Sequence, residues 1–228
     1  MKHFVFVLAL VCATGLGWSA TVTETFDIDD RGVGGPCTDT PASCTFFDFT
    51  GVTWTISGDA SQMTASSDYL KTGGGALTAR DVGAEMCWES PVYDISAGAA
   101  DFSVDIDETG SDHEASDYVD VTYFVDGAPT TITNWNGLGD GTHTLIGDIP
   151  DDDDWGFQTV TQGALNGSTL QIQICILNTA GTEYIYLDNV IVNTDDAVQV
   201  PGLSRTVTIG LGFLVLLSGA LLIRRLHL

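Results

Sequence analysis

Between Thr21 and Asn193 apolar and polar residues alternate with a period of two, broken by Gly, Asp, Asn and Pro, and no long segment repeats at helical spacing. The clearest runs are Val52-Thr-Trp54-Thr-Ile56, Phe102-Ser-Val104-Asp-Ile106 and Leu170-Gln-Ile172-Gln-Ile174-Cys-Ile176. Successive side chains of an extended chain point to opposite sides, so each run predicts a strand with one buried face. Tyr118–Val125 leads into Asp126-Gly127, a pair suited to the positive-φ positions of a two-residue hairpin turn. Two further strands are expected at 183–187 and 190–192. Roughly nine to twelve short strands without a βαβ rhythm predict an all-β fold, an antiparallel two-sheet jelly-roll sandwich. Trp54 and Trp88 alternate in phase with aliphatic residues and are expected in its core.

The two ends of the chain follow a different pattern. Met1-Lys2-His3 is a basic start, an apolar run reaches Cys12, and Trp18-Ser19-Ala20 supplies small residues for cleavage, which predicts a signal helix and signal peptide over 1–20. Cys12 is preceded by Leu10-Val11, with Val where a lipoprotein signal has a small residue. Residues 207–223 form an uncharged apolar run closed by Arg224-Arg225. That length is at the lower end of the roughly 17–25 residues of a transmembrane helix. The arginines would stay on the cytoplasmic side, leaving the domain outside. The expected organisation is a signal peptide (1–20), an extracellular β domain (21–194), a linker (195–206), one transmembrane helix (207–223) and a basic cytoplasmic end (224–228).

Charge separates along the same boundaries. All 31 acidic residues lie between the two ends, against only Arg31, Lys71 and Arg80. Such a surface repels phosphate backbones and excludes nucleic acid as a partner. The same acidity is also what proteins of saline habitats use for solubility.

Once Cys12 leaves with the signal, Cys37, Cys44, Cys87 and Cys175 remain, an even number suited to disulfides outside the cell. Four cysteines allow three pairings. Cys37 and Cys44 are close enough in a Gly/Pro/Thr loop to clip it locally, which leaves Cys87 with Cys175. Cys175 falls on the polar phase with Gln171 and Gln173, and Cys87 lies opposite to Met86 and Trp88, so both thiols are expected on an outer sheet face. Zinc on the cysteines is disfavoured, since there is no C-x-x-C and only His113 and His143 remain in the domain.

Val200-Pro201-Gly202-Leu203-Ser204, the apolar span and Arg224-Arg225 resemble the C-terminal sorting signals of the PEP-CTERM and IPTL-CTERM type. The resemblance implies processing by an exosortase-like membrane enzyme, with possible release of the domain. A plain single-pass anchor is the alternative. Within the domain, Glu24-Thr-Phe26-Asp27, Trp54, Trp88-Glu-Ser90-Pro91, Asp117-Tyr118, Asp126-Gly127, Asn166-Gly167-Ser168 and Tyr184-Ile-Tyr186-Leu-Asp188-Asn189-Val190 resemble the jelly rolls grouped around MAM domains and family 4/9-type carbohydrate-binding modules. That resemblance implies first and last strands side by side, with a structural Ca²⁺ held by Glu24, Asp27 and Asp188. Calcium takes six to eight oxygens, which carboxylates and carbonyls at strand ends supply.

Sugars stack their C–H faces on aromatic rings while neighbouring polar groups take the hydroxyls. Trp135 and Trp155, both in loop-like contexts, are the candidate platforms for an extracellular glycan or matrix partner. The acidic stretch 105–117 lacks the glycine and terminal glutamate of an EF-hand, and a second ion at Asp107, Glu114 and Asp117 is the weaker alternative. The Asp run 151–154 is expected as a solvated loop. His113 and His143 are isolated and expected at the surface. No G-x-S-x-G, H-E-x-x-H or P-loop occurs, so no catalytic residue is nominated and a binding role is preferred to an enzyme.

Overall fold

The computed structural model describes residues 18–37, 44–46, 49–110, 113–133, 141–146 and 156–196. The expected transmembrane span and basic end, most of the signal peptide, and both Trp135 and Trp155 lie outside the described residues. Ser19–Asp195 forms one compact unit. Its strands in chain order are β1 (Trp18–Glu24), β2 (Gly32–Gly34), β3 (Thr45–Phe46), β4 (Thr55–Gly58), β5 (Tyr69–Gly73), β6 (Ala76–Arg80), β7 (Met86–Glu89), β8 (Tyr93–Asp94), β9 (Ala100–Gly110), β10 (Tyr118–Val125), β11 (Ala128–Ile132), β12 (Gln158–Leu165), β13 (Thr169–Leu177) and β14 (Glu183–Asp196). Among the described residues one 3-10 turn, Ala60–Gln62, is the sole helical element. None of their helices is long and apolar enough to cross a membrane.

The strands form two antiparallel sheets, an arrangement that fits the expected jelly-roll sandwich. One has eight strands in the order β12-β9-β14-β6-β5-β2-β3, with β1 also paired to β14. The other has six, in the order β11-β10-β13-β7-β4, with β8 paired to β13. First and last strands thus lie side by side, and the Thr21 hydroxyl donates to Asn193 Oδ1 at 2.8 Å. The hairpin expected at Asp126-Gly127 joins β10 to β11, with Val125 opposite Ala128 and positive φ at both turn residues.

The period-two pattern places the core. Leu170, Ile172, Ile174 and Ile176 of β13 are fully buried, as are Val104 and Ile106 of β9 and Ile185 and Leu187 of β14. Each such side chain contributes about 1.5–3 kcal/mol by leaving water. Trp54 and Trp88 are in the core as expected. The buried ring of Phe26 meets both edge-on, with centroids 6.1 and 5.8 Å away.

The final strand differs from the expectation. Instead of two short strands, β14 runs as one, with its register against β9 shifting between Asp188 and Ile191. Asn189 takes a left-handed conformation (φ 47°) at this bulge, one that asparagine tolerates better than most residues. The extra residue moves the inward phase from Glu183, Ile185 and Leu187 to Val190 and Val192. Both disulfides pair as expected, Cys37 with Cys44 and Cys87 with Cys175. Cys87 and Cys175 face each other across adjacent strands; both are buried, at 5% and 8% exposure, but lie outside the main core cluster.

Candidate functional site: an aromatic and acidic cleft on the eight-stranded sheet

In β14 Ile185 and Leu187 point inward, so Tyr184, Tyr186 and Asp188 take the outer face. The same alternation in β9 sends Asp105 and Asp107 outward, and the register sets Tyr186 beside Asp107 and Asp188 beside Asp105. Tyr69 and Lys71 of β5, with Ala76, Thr78 and Arg80 of β6, complete the face on the other side. Ala76, Asp105, Asp107, Tyr186 and Asp188 line a cleft of about 250 Å³ together with Phe157, which immediately precedes β12. Phe157 is 62% exposed, the largest hydrophobic side chain in so open a position among the described residues.

Next to the cleft the tyrosines form a strip. The rings of Tyr184 and Tyr186 are 12° from parallel with centroids 6.3 Å apart. Arg80 lies over Tyr184 at 5.5 Å and is held there by backbone carbonyls, its Nη1 donating to Ser67 O and its Nη2 to Gly181 O. The Lys71 ammonium lies 5.2 Å over the ring of Tyr69. Burial, followed by the neighbouring Tyr184, raises the Tyr69 hydroxyl above its ordinary pKa.

Of the acids at the cleft, Asp105 and Asp188 each accept two hydrogen bonds. Asp105 accepts from the Thr159 hydroxyl at 2.7 Å and from Asn189 Nδ2 at 3.0 Å. Asp188 accepts the Asn189 N–H at 2.6 Å. Its carboxyl is raised in pKa first by burial and then by repulsion from Asp105 and Asp27. Aromatic walls with carboxylate acceptors between them can take a ligand that has both C–H faces and hydroxyl groups.

Asp27 and Asp188 are near enough for their charges to repel. The Glu24 carboxylate instead accepts the Phe26 N–H at 2.8 Å, and Asp27 accepts the Thr25 hydroxyl at 2.6 Å. Asp107 faces the outer cleft while Asp117 is fully buried and Glu114 exposed, so the second-ion trio does not share one side of the sheet.

The surface expectation for His113 is overturned. It is only 7% exposed, beneath the turn between β13 and β14. His143 is partly exposed, but its ring stacks on Tyr118 with centroids 4.1 Å apart and its Nδ1 is 2.6 Å from Asp120 Oδ2. The tyrosine strip and Phe157 were not nominated from sequence. Tyr184-Ile-Tyr186 carries the signal, because two aromatics in opposite phase to core aliphatics must face outward on one side.

No protein-family model and no curated protein matches this sequence. Among solved structures, the chain is similar to TmCBM61 in complex with β-1,4-galactotriose, at 10% identity and TM-score 0.39, covering 63% of this chain and 90% of that one. It is similar to the K1 cleaved adhesin domain of Lys-gingipain from Porphyromonas gingivalis at 14% identity and TM-score 0.39, covering 77% and 98%. A family 29 carbohydrate-binding module gives 9% identity and TM-score 0.36, covering 82% and 100%. Likenesses this low leave fold and function to rest on the strands and side chains themselves.

Proposed function

We propose that the domain is a non-catalytic binding module whose outer eight-stranded face takes a glycan at the cleft between Tyr186 and Phe157. The supporting observation is the cleft itself, which the rings of Tyr186 and Phe157 line together with Asp105, Asp107 and Asp188. Rings stack on the apolar faces of a pyranose and carboxylates accept its hydroxyl protons. The three acids would repel uronic or sulfated chains, so the reading is a neutral glycan. Trp135 and Trp155 are proposed as further sugar contacts.

The test is affinity electrophoresis of the full chain through gels of neutral and of sulfated polysaccharides. Retardation by at least one neutral glycan, lost in Tyr186→Ala and in Phe157→Ala, is the expected result. No retardation by any neutral polymer, or variants that migrate as the parent does, would overturn the reading.

We further propose that the chain is exported, held at the cell surface by residues 207–223 and sorted through its C-terminal motif, and that calcium at Glu24, Asp27 and Asp188 ties the first strand to the last. The repulsion between Asp27 and Asp188 favours a cation there. A thermal midpoint that is the same with and without millimolar calcium would exclude this ion.

A further inference from the structure

The inward phase of β9 and β14 carries a second constellation at the end of the sandwich. Glu108 continues the core phase of Val104 and Ile106, and Glu183 that of Ile185 and Leu187; they are 1% and 0% exposed. The connection from β9 to β10 lays His113 and Asp117 over them, and Asp117 is also fully buried. The chain can close in this tightly because Gly110, with φ at 127°, lies opposite Glu183 where a Cβ would strike the Thr182 carbonyl.

The donors converge on one point. Single ligand atoms of His113, Asp117 and Glu183 all lie within 4.8 Å of one another. Glu183 Oε2 accepts the N–H groups of Thr179 and Ala180 at 3.0 and 2.9 Å, which fixes the carboxylate. Its Oε1 is buried, accepts no hydrogen bond and faces His113 Nδ1 at 3.8 Å. On the far side of the ring, Nε2 faces Glu108 Oε2 at 3.9 Å. Asp117 Oδ2 accepts the Glu114 N–H at 2.9 Å, and its Oδ1 is 3.4 Å from the Thr179 hydroxyl.

A buried carboxylate group requires protons or a counter-charge. The three basic side chains of the domain are engaged elsewhere: Arg31 on the carbonyls of Asp29, Asp30 and Thr50, Lys71 on Asp30, and Arg80 on those of Ser67 and Gly181. Burial, the chief cause, and then repulsion from Glu114 push Asp117 up to about 6; burial, then repulsion from Asp117 and Glu114, push Glu183 up to about 8.

We propose that this cluster binds one divalent transition-metal ion of the zinc type, through His113 Nδ1, Asp117 and Glu183 Oε1, with Glu108 orienting the imidazole through Nε2. One imidazole and two carboxylates suit zinc, which takes four ligands of this kind, better than calcium, which wants six to eight oxygens. A ligating histidine commonly donates its other N–H to a carboxylate, the place Glu108 holds. Bonds of about 2.0 Å require tetrahedral donors about 3.3 Å apart, so the ion would draw this set inward by up to about 1.5 Å. It would pin the β9–β10 and β13–β14 connections together, a structural role independent of the outer cleft.

The experiment uses the full chain in mild detergent, stripped with chelator and titrated with Zn²⁺ or Ca²⁺ by calorimetry, with metal content and thermal midpoint recorded. Expected are one zinc per chain, a raised midpoint, and proton release at pH 7 as the ion displaces protons from the carboxylates. His113→Gln and Asp117→Asn should each weaken zinc binding at least about 100-fold, and Glu108→Gln by about 10–100-fold. A native near-UV circular dichroism spectrum qualifies each variant, so the Glu108 and Asp117 variants still decide the matter if His113→Gln does not fold. Zinc uptake below a tenth of an equivalent, uptake unchanged in the variants, or calcium displacing zinc at equal concentration would overturn the proposal.

Discussion

The two outer faces of this sandwich are built from strands of the same period but end in opposite conditions. On the six-stranded face the polar side chains satisfy one another. Glu89 accepts from Ser57 at 2.6 Å and from Gln173 at 3.0 Å, the hydroxyls of Thr122 and Thr131 bond at 2.7 Å, and Asp120 is shared by His143 and the Thr144 N–H. The Cys87–Cys175 bridge crosses the centre of this network. On the eight-stranded face, rings stand over a cleft, and its acids take few bonds beyond those of the local backbone, Asn189 and Thr159. A face that closes its own hydrogen bonds has little left to offer a ligand, whereas one with exposed rings beside carboxylates gains by covering them. The difference suits one sheet to rigidity and the other to the recognition proposed for it.

The largest effect is expected from opening the rigid face. The Cys87–Cys175 bridge closes a separation of 88 residues. In the chain-entropy account a loop of this size contributes about 4–5 kcal/mol. Denaturant unfolding of the double Cys→Ala variant should show a loss of about this size, and a loss under about 1 kcal/mol would remove the distinction between the faces.

A second effect comes from beneath the recognition face. Glu183 and Asp117 ionise near 4.5 and 3.8 when unfolded but are raised to about 8 and about 6 when folded. Below about pH 4 both states hold the protons and nothing is lost. As pH rises the unfolded chain ionises first, so metal-free stability falls between about pH 4 and pH 8. Calorimetric midpoints across that range would record the slope, and Glu183→Gln should flatten it.

Smaller still is the change at the cleft. Tyr186→Ala should weaken glycan binding tenfold or more, about 1.4 kcal/mol, in a retardation assay. Phe157→Ala should do the same while shifting stability by no more than about 0.5 kcal/mol, since its ring is mostly in solvent. The smallest effect belongs to Ser57→Ala, which removes one exposed hydrogen bond from the six-stranded face. It should cost about 0.5 kcal/mol in denaturant unfolding and leave glycan retardation as it was. A change in retardation there would mean that the wrong face had been assigned.

The sequence by itself determined what depends on neighbours along the chain. Alternation told which side chains of β13 and β9 are buried and that Cys87 and Cys175 stand on the outer phase, and Asp126-Gly127 marked a hairpin because positive φ is local. It also carried the tyrosine strip, in the phase of Tyr184 and Tyr186 against Ile185, and the presence of Asp105 and Asp107 on the outer phase of β9.

Only the tertiary structure decided which strands became neighbours. Tyr186 meets Asp107 across about eighty residues of chain, and Glu183 meets His113 across about seventy, and no period encodes either pairing. His113 lies in an Asp-His-Glu run that looks solvated until the β13–β14 turn covers it. Alternation alone also splits β14 in two, since the bulge at Asn189 shifts the phase and leaves the pairing intact. Strand periodicity fixes direction within one strand, but the partner across a sheet is chosen by the free energy of the whole sandwich.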